Sequence, residues 1–218
     1  MSYTVVFFAI AAYLIGCIPF GKVIAGRVAR IDITSRGSGN IGATNVAREL
    51  GMKWGVITLV LDILKGLVPM LVFACCFCAP GSSCHMALAG IGLCALLGHM
   101  FPVFLRFQGG KGVATALGVY LVMSPSSCLC ALILFVLVVA IWDYISLGSI
   151  IGAFAMPLFL ILFGKPSPFV VVSVCMAILI CWKHKENIQR LIRREERKWR
   201  ERGPQSRNSS NRSNSSSE

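Results

Sequence analysis

The chain reads as an all-α integral membrane protein with seven transmembrane helices, and three observations predict that class. Of its 218 residues, 56% are apolar and only 14% are charged, and its mean hydropathy is +0.75, too hydrophobic for a water-soluble domain. The apolar residues gather into runs close to the ~20 residues that a helix needs to cross a hydrocarbon core. The polar residues gather into four clusters, each separated from the next by two apolar runs. A net charge of +12 would point to nucleic acid in a soluble chain, but in a membrane chain basic residues report topology first. No nucleic-acid partner is expected.

The first span is expected from Tyr3 to about Phe20. No basic segment precedes it, and Pro19 and Gly21 follow where a signal peptide would carry a small-residue cleavage site. Lys22, Arg27 and Arg30 come next, which places this end in the cytoplasm and the N-terminus outside. The polar segment from Asp32 to Lys53 leads to a second span from Trp54 to about Pro80, within which Asp62 and Lys65 share one helix face and can pair with each other or with a third group. The loop from Gly81 to His85 carries no Lys or Arg, as expected of an external turn.

Span three is expected over Met86 to Leu105, and the short run Val113 to Met123 makes span four, a helix starting inside the second polar cluster. The turn from Ser124 to Ser127 contains Pro125 and no charge. Span five follows from Cys128 to Trp142, the third cluster DYISLGS covers Asp143 to Ser149, and span six continues to Phe163. After a turn holding Lys165, span seven covers Phe169 to Trp182. In the segment 183–202, Ile188, Leu191 and Ile192 recur at helical spacing among Arg and Lys, predicting an amphipathic helix on an anionic membrane surface. The membrane domain is therefore 1–202, and the Ser, Asn and Arg tail 203–218 is expected to be disordered.

Most of the ten cysteines lie inside apolar runs and are expected to act as small hydrophobes. Cys75 and Cys78 form a CxxC with Cys84 nearby, but no second CxxC or suitably spaced His completes a metal site. No metal and no cofactor are expected.

Seven spans put all four polar clusters on the cytoplasmic side, where they can converge. A transporter would instead distribute polar groups near the bilayer midplane, often in two related halves, and no such repeat occurs. The first cluster, SGNIGATNVAR from Ser38 to Arg48, reads as a phosphate cradle: Gly39 and Gly42 let backbone N–H groups converge, Ser38, Asn40, Thr44 and Asn45 add neutral donors, and Arg48 adds a permanent charge. The second sets Gly109, Gly110 and Gly112 around Lys111 at a helix start, an anion site without the spacing of a Walker A loop. His99 is either a packed core histidine or a substrate contact. Ser146 and Ser149 either cap a helix or bind ligand. His184 and Asn187 share a helix face on which they can orient a hydroxyl. No serine-nucleophile elbow, HEXXH motif or glycosidase-like carboxylate pair is present, which leaves anion handling at an interface.

Taken in order, GSGNIGATNVAR, GHMFPVFLRFQGGKGVAT, SLGS and HKENIQRL closely resemble the bacterial acyl-phosphate:glycerol-3-phosphate acyltransferase family, over about residues 5 to 198. The resemblance implies a multi-pass enzyme of the bacterial inner membrane that moves a fatty acyl group from acyl phosphate to the 1-hydroxyl of sn-glycerol 3-phosphate, forming lysophosphatidic acid and phosphate at the start of phospholipid synthesis. Its implied partners are the two substrates, membrane lipid and an enzyme that produces acyl phosphate. The residues it implies at the chemistry are His184, Asn187, Lys111 and Ser38. The loop Gly39, Asn40, Ile41, Gly42, Ala43, Thr44 and Asn45 is implied to contact phosphate, as are Gly109, Gly110 and Gly112 around Lys111. Arg48, Lys111, Ser149, His184 and Asn187 are implied to hold glycerol 3-phosphate, and His99 and Ser146 stand beside them as candidate substrate contacts read from the residues. None of His85, His99 or His184 has Asp five positions on, so the HxxxxD motif of acyl-CoA-type enzymes is missing. Arg106 and Gln108 stand where the family more often has glycine and lysine.

Overall fold

The structure is a computed structural model that describes residues 2–78 and 82–200, and these are helical almost throughout. The first apolar run is divided into α1 (Ser2–Gly16) and α2 (Phe20–Val28). Pro19 causes the break, since it lacks an N–H and pushes the residue before it out of the helical region. The break falls within one apolar stretch, Tyr3–Val28, that is long enough to cross a membrane, so this stretch runs past the end expected near Phe20 and the basic Lys22 and Arg27 sit on α2. Lys22 pairs with Asp32 at 3.2 Å, and Asp32 in turn accepts the Thr34 N–H, which folds the polar segment back toward α2. There α3 (Ala43–Leu50) forms and turns at Gly51 into α4 (Met52–Phe77).

The remaining helices are α5 (Ser82–Met100), α6 (Val113–Met123), α7 (Pro125–Trp142), α8 (Ile145–Leu162), α9 (Ser167–Lys183) and α10 (Lys185–Ile192). The expected loop at 81–85 is helical from Ser82 on. The expected turn at 124–127 shrinks to Ser124, whose hydroxyl caps α7 by accepting the Ser127 N–H, while Pro125 occupies the first turn, where its missing N–H costs nothing. A disulfide joins Cys78 to Cys84 across the α4–α5 connection, so Cys78 belongs to a structural cross-link rather than to a CxxC pair with Cys75.

Among the described residues, five stretches are long and apolar enough to cross a membrane: Tyr3–Val28, α4, Ser83–Leu105, α7 and α8. A sixth is counted if α9 and α10, bent by 61°, act as one. The 11 residues of α6 span only about 16 Å at ~1.5 Å per residue, well short of the ~30 Å core. The expected seventh crossing therefore rests on this short helix.

Glycine brings the helix axes together where membrane packing favours small residues. A Cβ on Gly98 of α5 would lie 2.1 Å from the Tyr13 carbonyl oxygen of α1, and one on Gly118 of α6 would lie 2.1 Å from the Ile63 oxygen of α4. Between these pairs lies a buried core that includes Met70, Phe73, Ile91, Leu96, Met100, Val119 and Met176. Leu129, Ile133, Val136 and Ile141 on α7 are exposed, an apolar outer surface suited to lipid. Asp62 and Lys65 pair at 2.8 Å with side chains 3% and 1% exposed. Lys65 also donates to the Ile18 carbonyl at the α1–α2 break, which ties α4 to the N-terminal helices.

The C-terminal segment departs most from the sequence reading. Helix α10 stops at Ile192 instead of running on toward 202, and Arg194 adopts a left-handed conformation (φ 59°). The chain then folds back, with the Trp199 N–H donating to the Asp143 carbonyl oxygen at 2.8 Å. Arg48 donates to the carbonyl oxygens of Arg197 and Lys198. The amphipathic pattern ends here because residues 193–198, RREERK, offer no apolar side chain to continue a buried face. The tail 203–218 lies outside the described residues.

Candidate functional site

Asn45, 2% exposed, organises the first polar cluster. Its side-chain oxygen accepts the Ser38 N–H at 3.0 Å, and its amide nitrogen donates to the carbonyl oxygens of Asn40, Arg36 and Ile33. The Gly39 N–H donates to the Arg36 carbonyl oxygen and the Gly42 N–H to the Asn40 side chain. Ser38, Gly39 and Gly42 therefore do not present their N–H groups to a ligand, as a cradle of convergent amides would require. Gly39 (φ 70°) makes the turn, and Ile41 is 4% exposed in a small core with Ala25, Ile33 and Val46. What the loop offers is the N-terminus of α3, at Ala43 and Thr44, together with the side chains of Ser38 and Asn40, and all four residues line the cavity described below.

The second cluster also uses its glycines for close approach. A Cβ on Gly110 would fall 2.1 Å from His99 Nε2, and one on Gly109 would fall 2.1 Å from the His99 carbonyl oxygen. Their N–H groups donate to the Met100 and His99 carbonyls, so these too are not free for an anion. Gly112 holds a left-handed conformation (φ 82°) immediately before α6. This packing delivers Lys111, whose ammonium donates to the side-chain oxygen of Asn187. Burial pushes the Lys111 pKa down to about 8, opposed by Glu196. Arg106 and Gln108 are exposed outside this contact.

His184 sits at the α9–α10 junction, 3% exposed. Its Nδ1 lies 2.8 Å from the Ile180 carbonyl oxygen, which can only accept, so Nδ1 carries the proton and Nε2 keeps a lone pair. Burial, reinforced by the Lys111 charge, lowers its pKa to about 4 and keeps it neutral. Ser146 and Ser149 do not cap α8. Tyr144 occupies the cap position, Ser149 donates to the Ile145 carbonyl of its own helix at 2.8 Å, and Ser146 donates to Glu196 at 2.7 Å.

These groups meet at a cavity of about 640 Å³, within the size range of small-molecule sites. Its polar part is lined by Ser38, Asn40, Thr44, Asn45, Arg48, Lys111, Ser146, Ser149, His184 and Asn187. Its apolar part runs between α4, α6, α7 and α8, along Leu59, Leu117, Tyr120, Leu132, Phe135 and Met156. Gly42, Ala43, Gly112 and His99 also line it, whereas Gly39, Ile41, Gly109 and Gly110 do not and act behind the wall. His99 Nδ1 stands 3.8 Å from the Asp62 carboxylate, both side chains being 3% exposed. No group of three or more His, Cys, Asp or Glu residues is placed to hold a metal ion among the described residues.

Among the cavity-lining residues that the sequence did not single out for the site are Asp62 and Glu196. Glu196 accepts from Asn187 at 2.6 Å and from Arg190 at 2.8 Å, besides Ser146. Its only sequence signal was an acidic pair interrupting a basic run, which also describes a solvated surface.

An apolar groove within a helical membrane domain, opening on a cluster of cations and neutral donors, defines a membrane protein whose cavity is suited in chemistry to an anionic, amphipathic ligand. A sequence model of the glycerol-3-phosphate acyltransferase family matches residues 6–194. The glycerol-3-phosphate acyltransferase of Geotalea daltonii is 48% identical over 187 residues, covering 84% of this chain and 91% of its own. That of Geobacter sulfurreducens is 51% identical over 181 residues, covering 83% and 90%. The crystal structure of PlsY, an integral membrane glycerol 3-phosphate acyltransferase, in its glycerol 3-phosphate form superposes with a TM-score of 0.84 at 42% identity, covering 89% of this chain and 95% of that one. The chain belongs to the glycerol-3-phosphate acyltransferase family and is an integral membrane acyltransferase.

Proposed function

We propose that the chain transfers a fatty acyl group from acyl phosphate to the 1-hydroxyl of sn-glycerol 3-phosphate, giving lysophosphatidic acid and inorganic phosphate, as the first acylation of phospholipid synthesis. The observation that carries this reading is the joining of Lys111, Arg48, His184 and Asn187 to an apolar groove in one cavity: two phosphate-bearing reactants meet at the polar end and the acyl chain enters the groove. Solved relatives described as glycerol 3-phosphate and lysophosphatidic acid forms support the acceptor and the product. We further propose residues 1–202 as the membrane domain, seven crossings with α6 as the short fourth, an external N-terminus, and a site on the cytoplasmic face of a bacterial inner membrane.

In this mechanism the acceptor oxygen attacks the acyl carbonyl carbon, a C–O ester bond forms, and the bond from that carbon to the phosphate oxygen breaks. Acyl phosphate is an activated anhydride, so alignment and charge stabilisation suffice and no enzyme nucleophile is needed. Lys111 and Arg48 neutralise phosphate charge, with Ser38, Asn40 and the α3 N-terminus as further donors. His184 Nε2 accepts a hydrogen bond from the acceptor hydroxyl and orients it. With its pKa near 4, His184 is a weaker base than a phosphate group whose second ionisation lies at about 6, so the departing phosphate takes the hydroxyl proton.

The decisive experiment incubates purified protein with acyl phosphate and measures phosphate release with and without glycerol 3-phosphate. Acceptor-dependent release with stoichiometric lysophosphatidic acid is expected. Release that ignores the acceptor would sink the proposal and favour a binding or transport role.

A further inference from the structure

We propose that Glu196 is a positioning residue that sets the orientation of the Asn187 side-chain amide and so holds Lys111 at the cavity. This inference rests on the reaction proposed above. A side-chain amide has one donating and one accepting end. The Asn187 nitrogen donates to Glu196 Oε1 at 2.6 Å, which leaves its oxygen to receive the Lys111 ammonium, as observed. Without a carboxylate on the nitrogen side, the opposite orientation becomes accessible and sets an NH₂ group against the ammonium. The same Oε1 accepts from Ser146 on α8, and Oε2 accepts from Arg190 on α10, so one carboxylate joins α8, α10 and, through Asn187, the Lys111 loop.

The backbone around Glu196 is built to deliver it. The left-handed Arg194 reverses the chain, the Glu195 N–H closes onto the Arg190 carbonyl at 2.8 Å, and the Trp199 N–H reaches the Asp143 carbonyl. Burial opposes ionisation of Glu196, but hydrogen bonds from Arg190, Asn187 and Ser146 outweigh it and hold the carboxyl below its usual range, so it is charged at neutral pH. The charged groups facing Lys111 are Glu196, Glu186 and Arg190 from the C-terminal segment and Arg48 from α3, with neutral His184 beside it. Of the acidic two, Glu196 favours the Lys111 cation more.

The test uses the full-length protein in detergent and compares wild type, Glu196→Gln, Glu196→Asp, Asn187→Ala and the double variant Glu196→Gln with Asn187→Ala. Removing the charge from Glu196→Gln is expected to raise the KM for glycerol 3-phosphate ~10-fold and to move the alkaline limb of the pH–rate profile down by about one unit. Glu196→Asp, which keeps the charge, is expected to restore the limb. On the Asn187→Ala background, Glu196→Gln is expected to add less than about a twofold loss, since both changes break one chain of contacts. A wild-type limb in Glu196→Gln, a displaced limb in Glu196→Asp, or fully additive losses would overturn the proposal. Wild type measured in parallel keeps the reaction separate, because its inactivity would count against the reaction and not against Glu196.

Discussion

Two buried lysines in this protein have opposite fates. Lys65 pairs with Asp62 three residues before it on the same helix, adds the Ile18 carbonyl, and does not itself line the cavity that Asp62 borders. Lys111 lies on a loop, borrows its partner Asn187 from 76 positions later in the chain, and faces the cavity. The first charge is neutralised inside the protein and works as a structural tie. The second is neutralised incompletely, by the neutral Asn187 amide and, on the far side of that amide, the Glu196 carboxylate, so an incoming anion still meets a cation there. The difference teaches that what makes a buried lysine functional is how much of its charge the fold leaves uncompensated.

The sharpest way to break the contrast is Lys65→Met, which strands the Asp62 carboxylate. Removing one partner of a buried pair costs about 3–5 kcal/mol, so a large drop in thermal midpoint in detergent is expected, with the remaining folded enzyme keeping near-normal turnover. A variant that is stable but inactive would move Lys65 into the catalytic group. Next in size is Lys111→Ala, expected to lose at least about 10²-fold in kcat/KM with little change in thermal midpoint. An unchanged rate would make Lys111 a second structural tie. The same lysine predicts a pH limit: its cation is the working form and its pKa is about 8, so kcat/KM is expected to be full below that value and to fall as pH rises through it. The smallest effect is expected from Gln108→Lys, which adds a lysine at an exposed position of the Lys111 loop. Surface charges contribute little, so a change under about twofold in kcat/KM is expected, and a larger gain would show that the loop's outer charge reaches the substrate.

Membrane class, helix positions and the four polar clusters were legible from residue order, since helix and lipid preferences are local properties of composition. The sequence limits of span four match those of α6, and helical spacing put Asp62 and Lys65 on one face, where they could pair with each other or with a third group; they pair with each other. That the clusters meet was legible, since residues of all four line one cavity, but the use of their backbone donors differs from the reading as amide cradles. Glycine-rich loops invite a reading as amide cradles, whereas Gly109 and Gly110 spend their N–H groups on the backbone and lack a Cβ because His99 lies against them. Asn45 likewise has the composition of a ligand donor but folds its own loop.

By itself the sequence determined which segments are helical and apolar, which residues carry charge, and, through ordered motifs, which family the chain joins. Tertiary structure alone decided which polar atoms are consumed by the fold and which remain for a ligand, because a donor's availability depends on partners far away in the chain. Glu196 is the clearest case. In RREERK nothing separates it from Glu195, and only the reversal at Arg194 brings it against Ser146, Asn187 and Arg190.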